Sequence, residues 1–285
     1  MPLTHISAKL DEPFTFNAEN ALAFRLYPDN RPRNLEIANL QKGLILLLNF
    51  TELVEEGAGF GVPIAKYSDT TFFCSTARVH LHRLSSGNVV LTKTFFLDAV
   101  SRKQIRGAKI NSGLYLLFHK AFEMAYLSRQ SLRPVFDSMM HLRQTLGIQT
   151  QFEKVSPRGF VTVTYHCLPS QIKVHVDFSA LEKVNCQELL LLNEQGASYF
   201  RNYSDTNGTI LHDREVGAMT KVMAKQASFL SLDTGISFLL ETVEPAVMYR
   251  GREQIKGRFS WSGLTYQLNP NTAEFGYTIK LSRRK

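Results

Sequence analysis

The sequence predicts a mainly β protein: a large antiparallel β-sandwich with an inserted helical hairpin. Two observations carry this expectation. Short runs with period-two alternation recur along most of the chain, separated by clusters of Gly, Pro, Asn, Asp and Ser. One stretch, about 112–146, switches to helical period and divides the chain into β-rich halves, 14–110 and 148–282. The expected organisation is one β-rich domain over 1–285, with an α+β arrangement of two β-rich domains as the alternative.

In chain order, Ala21–Tyr27 alternates and stops at Pro28-Asp29-Asn30, and Leu35–Ala38 follows. Leu44–Leu48 is apolar at every position, as a strand covered on both faces would be. Thr70–Cys74 and Ala77–Leu84 continue the sheet; in the second, Val79 and Leu81 turn inward and His80 and His82 outward. Ser85–Asn88 is a turn into Val89–Phe96. Ser112 caps a helix with Leu114, Leu117, Phe118, Ala121, Phe122 and Ala125 on one stripe. Arg133-Pro134 opens a second helix, ended by Gly147. Phe160–Tyr165 is rich in β-branched and aromatic residues, and Ile172–Phe178 alternates with Lys173, His175 and Asp177 on one face. Glu188–Leu192 leads into a turn at Asn193–Gly196, and Asp213–Lys225 fits either a helix or a bulged strand. Strands recur at Ile236–Thr242, Ala246–Arg250, Gly263–Leu268 and Phe275–Leu281.

Composition bounds the class. With 44% hydrophobic and 20% charged residues, the chain has the make-up of a globular protein. Its start lacks the basic and apolar regions of a signal peptide, and its longest apolar run is far too short to span a bilayer. Three cysteines, widely spaced and without CxxC, suit reduced thiols, so a cytoplasmic location and no membrane partner are expected. The net charge of +8 permits an anionic partner such as nucleic acid without identifying one.

The segment Glu55-Glu56-Gly57-Ala58-Gly59-Phe60-Gly61-Val62-Pro63, followed by Lys66 and Tyr67, is the first candidate site. Alternating glycines allow positive φ and close backbone approach. A phosphate cradle would need a helix after the glycines, whereas Val62-Pro63 imposes extended geometry, so no nucleotide cofactor is expected. Two readings stand: a tight loop with a structural role, or a ligand-lining loop with Glu55 or Glu56 as polar contact. Neighbouring carboxylates on a strand face opposite ways, so Glu56 would need a distant partner such as Glu194, Glu253 or Asp213. His80 and His82 share a strand face at metal-ligand spacing, but they equally suit the polar face of a sheet, and no metal is expected.

The second candidate lies late in the chain. Glu194 and Arg201 precede Tyr249-Arg250-Gly251-Arg252-Glu253 and Phe259-Ser260-Trp261-Ser262-Gly263. Arg252 can hold a carboxylate or a hydroxyl pair, and Trp261, the sole tryptophan, can stack on a sugar. The bland alternative is an interior Arg–Glu pair and a core tryptophan.

The succession Tyr-Arg-Gly-Arg-Glu, Phe-Ser-Trp-Ser-Gly and Tyr-Gln-Leu between two β-rich halves resembles, in architecture, the antiparallel super-sandwich of galactose-mutarotase-like and sugar-binding domains. The resemblance covers most β-regions and omits the helical pair. It implies a carbohydrate-type groove. The histidine and carboxylate of that group have no matching motif here, so mutarotase activity does not transfer.

The expected function is therefore binding of a saccharide or similar polar small molecule. If catalysis accompanies it, acid/base chemistry of mutarotase, epimerase or hydrolase type would fall to Glu56, Glu253 and His80, with Glu55, Phe60, Lys66, Tyr67, Glu194, Arg201, Arg252 and Trp261 lining the ligand. The alternative is a non-enzymatic protein binding nucleic acid or an acidic partner through its basic surface. An apolar-ligand carrier, suggested by 20 phenylalanines, is a third reading.

Overall fold

A computed structural model describes residues 6–18, 22–28, 41–55, 57–67, 71–72, 76–83, 88–97, 99–105, 149–155, 158–217, 219–241, 246–255 and 259–283. The helical hairpin expected at 112–146, the strand expected at Leu35–Ala38, and Glu56 lie outside them. The chain divides into two compact units, Met1–Ala99 with Val155–Lys285, and Val100–Lys154.

The strands run β1 (Ile6–Leu10), β2 (Phe14–Asn17), β3 (Leu22–Leu26), β4 (Ile45–Leu48), β5 (Thr51–Glu52), β6 (Gly59–Tyr67), β7 (Thr71–Phe72), β8 (Thr76–Arg83) and β9 (Val89–Phe96). Then come β10 (Ala99–Ile105), β11 (Gln149–Val155), β12 (Phe160–Cys167), β13 (Gln171–Asp177), β14 (Cys186–Gln195), β15 (Asn202–Asp205) and β16 (Ile210–His212). A 3-10 turn at Asp213–Val216 precedes β17 (Thr220–Val222), β18 (Gln226–Leu230), β19 (Ile236–Glu241), β20 (Val247–Ile255), β21 (Phe259–Leu268) and β22 (Glu274–Arg283). Among the described residues there is no α-helix, and the protein is mainly β.

In the first unit, one sheet is ten-stranded, in the order β1-β8-β9-β12-β13-β22-β19-β18-β15-β16. A second runs β7-β6-β14-β21-β20-β17, and a small third runs β2-β3-β4-β5. Among the described residues, these strands pair antiparallel. The smaller unit holds β10, apart from its first residue, and β11, apart from its last, as hydrogen-bonded neighbours.

The two large sheets face each other across a shared core, as a sandwich does. Phe238 of β19 meets Phe60 of β6 edge-on at 5.1 Å, and touches Phe200 at 5.0 Å and Phe229 at 5.7 Å. Tyr266 of β21 meets Phe275 and Tyr277 of β22 at 5.1 and 5.2 Å. These rings are buried at 4% exposure or less and fill the space between sheets. Some polar groups in the core are matched: Tyr165 of β12 donates its hydroxyl hydrogen to the Phe60 carbonyl at 2.8 Å. The fully buried Lys93 ammonium donates to the carbonyls of Tyr27 at 2.8 Å and Lys42 at 2.6 Å. Burial pushes the Cys167 thiol up to about 12, so it stays protonated and unreactive.

Phe238→Ala removes the ring that joins both sheets. It should cost about 3–5 kcal/mol in urea unfolding, the range for a truncated core aromatic. A loss below about 1 kcal/mol would mean the sheets do not depend on this contact.

Candidate functional site

The glycine segment is not a loop throughout. From Gly59 it is strand β6, paired with β14 through a bulge between Leu192 and Asn193. Gly59 and Gly61 both sit at φ 80°, where a side chain is strained. At Gly61 a Cβ would also stand 2.7 Å from the Tyr165 hydroxyl oxygen. The expected turn at Asn193–Gly196 is likewise strand: β14 continues to Gln195, so Glu194 projects from a sheet. Turn-forming residues stay extended here because their amides are used inside. Asn193 Oδ1 accepts from the Gly61 N–H at 3.1 Å and from the Tyr277 hydroxyl, and Gln195 Oε1 accepts from the Leu46 N–H at 3.4 Å. The late glycines are mid-strand too, Gly251 in β20 and Gly263 in β21.

Side chains alternate across a strand, so Asn193 facing the core sends Glu194 to the opposite face. The register across four strands reads Gly59, Glu194, Gly263 and Gly251. Glu194 is thus the only side chain in a row of glycines. One step along, Glu253 of β20 lies directly opposite Trp261 of β21 on that same face. The indole leans over Gly251, where a Cβ would stand 2.5 Å from the nearest ring atom. Glu253 is only 7% exposed, while Trp261 and Glu194 keep partial access to solvent, so the group reaches the surface.

Among the described residues the Glu194 carboxylate has one hydrogen bond, from the Ala58 N–H at 3.1 Å. Burial pushes its pKa up to about 7; the Ala58 bond opposes the rise and the Glu253 carboxylate adds to it. At neutral pH Glu194 therefore exists in both protonation states, able to donate or accept a proton.

Glu55 and Arg252 form a separate set at the end of the sandwich, on the inner side of the sheet. Glu55 Oε2 accepts from the Ser198 N–H at 3.3 Å and from the Ser260 hydroxyl. Arg252, 6% exposed, donates to the Ala197 carbonyl at 3.1 Å and to Gln254 Oε1 at 3.0 Å, and pairs with Asp213 at 3.2 Å. Burial pulls its pKa below the usual guanidinium value and Asp213 counteracts this. Arg201 stands beside this set, its Nε donating to the Ser198 carbonyl at 3.1 Å.

The remaining expected residues lie elsewhere. Phe60 is wholly in the core. Lys66, at the far end of β6, pairs with Glu188 at 3.1 Å. Tyr67, also there, is 3% exposed and donates to the Glu182 carbonyl, with the Arg158 guanidinium 4.6 Å from its ring centre. His80 is on the outer face of the ten-stranded sheet. Among the described residues no three His, Cys, Asp or Glu side chains gather to hold a metal ion. Ala58, whose N–H holds Glu194, and Asn193, which sets its direction, were not singled out by the sequence. A run of four leucines ending in Asn-Glu-Gln was the available signal.

No protein-family model matches this chain, and no curated protein is similar to it. Among solved structures it is similar to a mutant of the heparan sulfate lyase HepC from Pedobacter heparinus, at 9% identity and a TM-score of 0.43, over 98% of this chain and 37% of the lyase. It is also similar to the Slr1438 protein from Synechocystis sp. PCC 6803, at 9% identity and a TM-score of 0.39, over 96% of this chain and 97% of that one. The chain thus spans about a third of the lyase's length. At these scores neither likeness bears on function.

The raised carboxyl predicts a pH signature. Its folded value of about 7 lies above the unperturbed 4.5, so the native state holds more protons between those limits. Stability is unaffected below the lower limit and falls as pH rises to the upper one. Glu194→Gln keeps the acceptor for Ala58 and removes the penalty. It should stabilise the protein at pH 8 by at most about 3 kcal/mol and leave it unchanged at pH 4, read as urea midpoints. Equal effects at both pH values would contradict the assignment.

Proposed function

We propose that the glycine row around Glu194 and Glu253 binds a neutral saccharide or a similarly hydroxylated small molecule. The observation that carries this reading is the Glu194 carboxyl, held near 7 beside a second carboxylate and a partly accessible indole. Perturbed carboxyls of this kind cluster at functional sites. The glycines let neighbouring backbones and the indole pack close, so that the partly exposed Trp261 ring lies beside Glu253. Trp261 supplies an apolar face for the ring's C–H side, and the carboxyls supply donors and acceptors for its hydroxyls.

The same pair fits proton transfer at a sugar. Glu194, pushed up to about 7, can act as proton donor, with the neighbouring Glu253 carboxylate as acceptor. The acid/base work expected of Glu56, Glu253 and His80 is thereby assigned to Glu194 and Glu253.

A thermal-shift screen against neutral mono- and disaccharides tests this reading. A sugar at a hundred times its dissociation constant adds about 2.7 kcal/mol, or roughly 5 °C or more for a chain of this size. Trp261→Ala and Glu253→Gln should abolish the shift, and Lys66→Ala, at the far end of β6, should retain it. No shift with any sugar, or loss in Lys66→Ala as well, would refute the site.

A further inference from the structure

The outer face of the ten-stranded sheet plays no part in the site above, yet its side chains are ordered by register. Paired residues of neighbouring strands share a face. One row reads His82 (β8), Val90 (β9), His166 (β12), Lys173 (β13) and Thr278 (β22). The next reads Lys9 (β1), His80, Thr92, Thr164 and His175. The third reads Arg78, Thr94, Thr162, Asp177 and Glu274, and beyond it Phe96 pairs with Phe160.

Three kinds of chemistry are segregated on this face. Cationic and protonatable groups hold three positions in each of two rows: His82, His166 and Lys173 in the first, Lys9, His80 and His175 in the second. Four threonines occupy the centre, their hydroxyls meeting across strands at 3.5 Å in the pairs Thr92–Thr164 and Thr94–Thr162. At one end Phe160, 40% exposed, stands 6.0 Å from Phe96, over which the Arg78 guanidinium lies at 5.0 Å. Acidic groups are confined to the margins. Asp177 accepts from the Ser179 N–H at 2.8 Å, Glu274 is 3.4 Å from His175, and Glu241 is paired with Lys280. Lys9 at the opposite edge pairs with Asp11 at 3.0 Å.

We propose that this face binds an acidic polysaccharide chain lying along β9 and β12, with sugar rings against Phe160, hydroxyls on the threonines, and carboxylates on Lys173, Arg78 and the histidines. The span from Phe160 to His166 is about 20 Å at the rise of a β-strand, room for several sugar units. Charge complementarity selects a polyanion. The hydroxyl centre with a single aromatic pair selects a sugar polymer over single-stranded nucleic acid, which calls for successive aromatic platforms under successive bases.

Burial, with the neighbouring His175 and Lys173 charges, holds His166 below the usual imidazole range, and a bound carboxylate would relieve that crowding. Among the described residues, the titratable groups facing it are His82, Lys173 and His175, with Glu241 and Lys280 beyond Thr278. Binding should therefore strengthen as pH falls.

The test uses polygalacturonate, neutral dextran and poly(dT), by calorimetry on the full chain. Polygalacturonate should bind, more tightly at pH 5.5 than at 7.5, weaken with salt, and lose at least tenfold in affinity with Lys173→Glu and with Phe160→Ala. Lys221→Glu, an exposed lysine of β17 on the other sheet, should change affinity less than threefold. Dextran should not bind. Tight poly(dT) binding lost in the same variants, without polygalacturonate binding, would overturn the proposal in favour of nucleic acid. Binding absent, or weakened equally by Lys221→Glu, would overturn it outright.

Discussion

The buried Asn193 amide is the constraint on which the rest of this structure depends. Its oxygen accepts from the Gly61 N–H of one neighbouring strand and from the Tyr277 hydroxyl of the opposite sheet, and its nitrogen donates to the Leu191 carbonyl at 3.3 Å. One side chain thereby locks the bulge between β6 and β14 and ties both sheets together at that point. Side chains on a strand alternate, so a slip of one residue would exchange the faces of β14. With Asn193 fixed inward, Glu194 must point outward, and its carboxyl meets glycines on every neighbouring strand.

The two faces of the sheet end consequently have different roles. On the inner side Arg252, Glu55, Ser198 and Ser260 bind one another and the 196–198 backbone, closing the end of the sandwich. Arg252 there is a paired, buried cation, the bland alternative for this residue, although its partner is Asp213 in place of Glu253. On the outer side, Glu194 and Glu253 are like charges close together, and burial, with Glu253 adding to it, raises the Glu194 carboxyl. Paired buried ions hold a structure together, whereas a like-charged pair at a partly open surface is disposed to take a proton or a ligand.

Much of this fold was legible in local sequence, and the reasons are specific. Val89–Phe96 appears as strand with the boundaries expected, and Ala77–Leu84 and Ile172–Phe178 shift by one residue. The outward turn of His80 and His82 follows from alternation alone. Asn193–Gly196 misled because Asn and Gly carry turn statistics, and the strands expected at Ala246–Arg250 and Gly263–Leu268 extend further, past Gly251 and to before Gly263. In this chain those glycines serve close strand approach, as at Gly263, where a Cβ would stand 2.1 Å from the Asn193 carbonyl oxygen. Such approach is a property of strands distant in sequence, and no local window contains it. For the same reason Glu194 and Glu253 were separate candidates in the sequence, and only register made them neighbours.

The measurement that tests the central claim most directly is a carbon-13 NMR titration of the glutamate carboxyl carbons, with Glu194 assigned by its loss in Glu194→Gln. The account predicts a midpoint near 7 for Glu194, falling toward the ordinary carboxylate value when Glu253 becomes Gln. A midpoint near 4.5 in the wild-type protein, the unperturbed glutamate value, would contradict it.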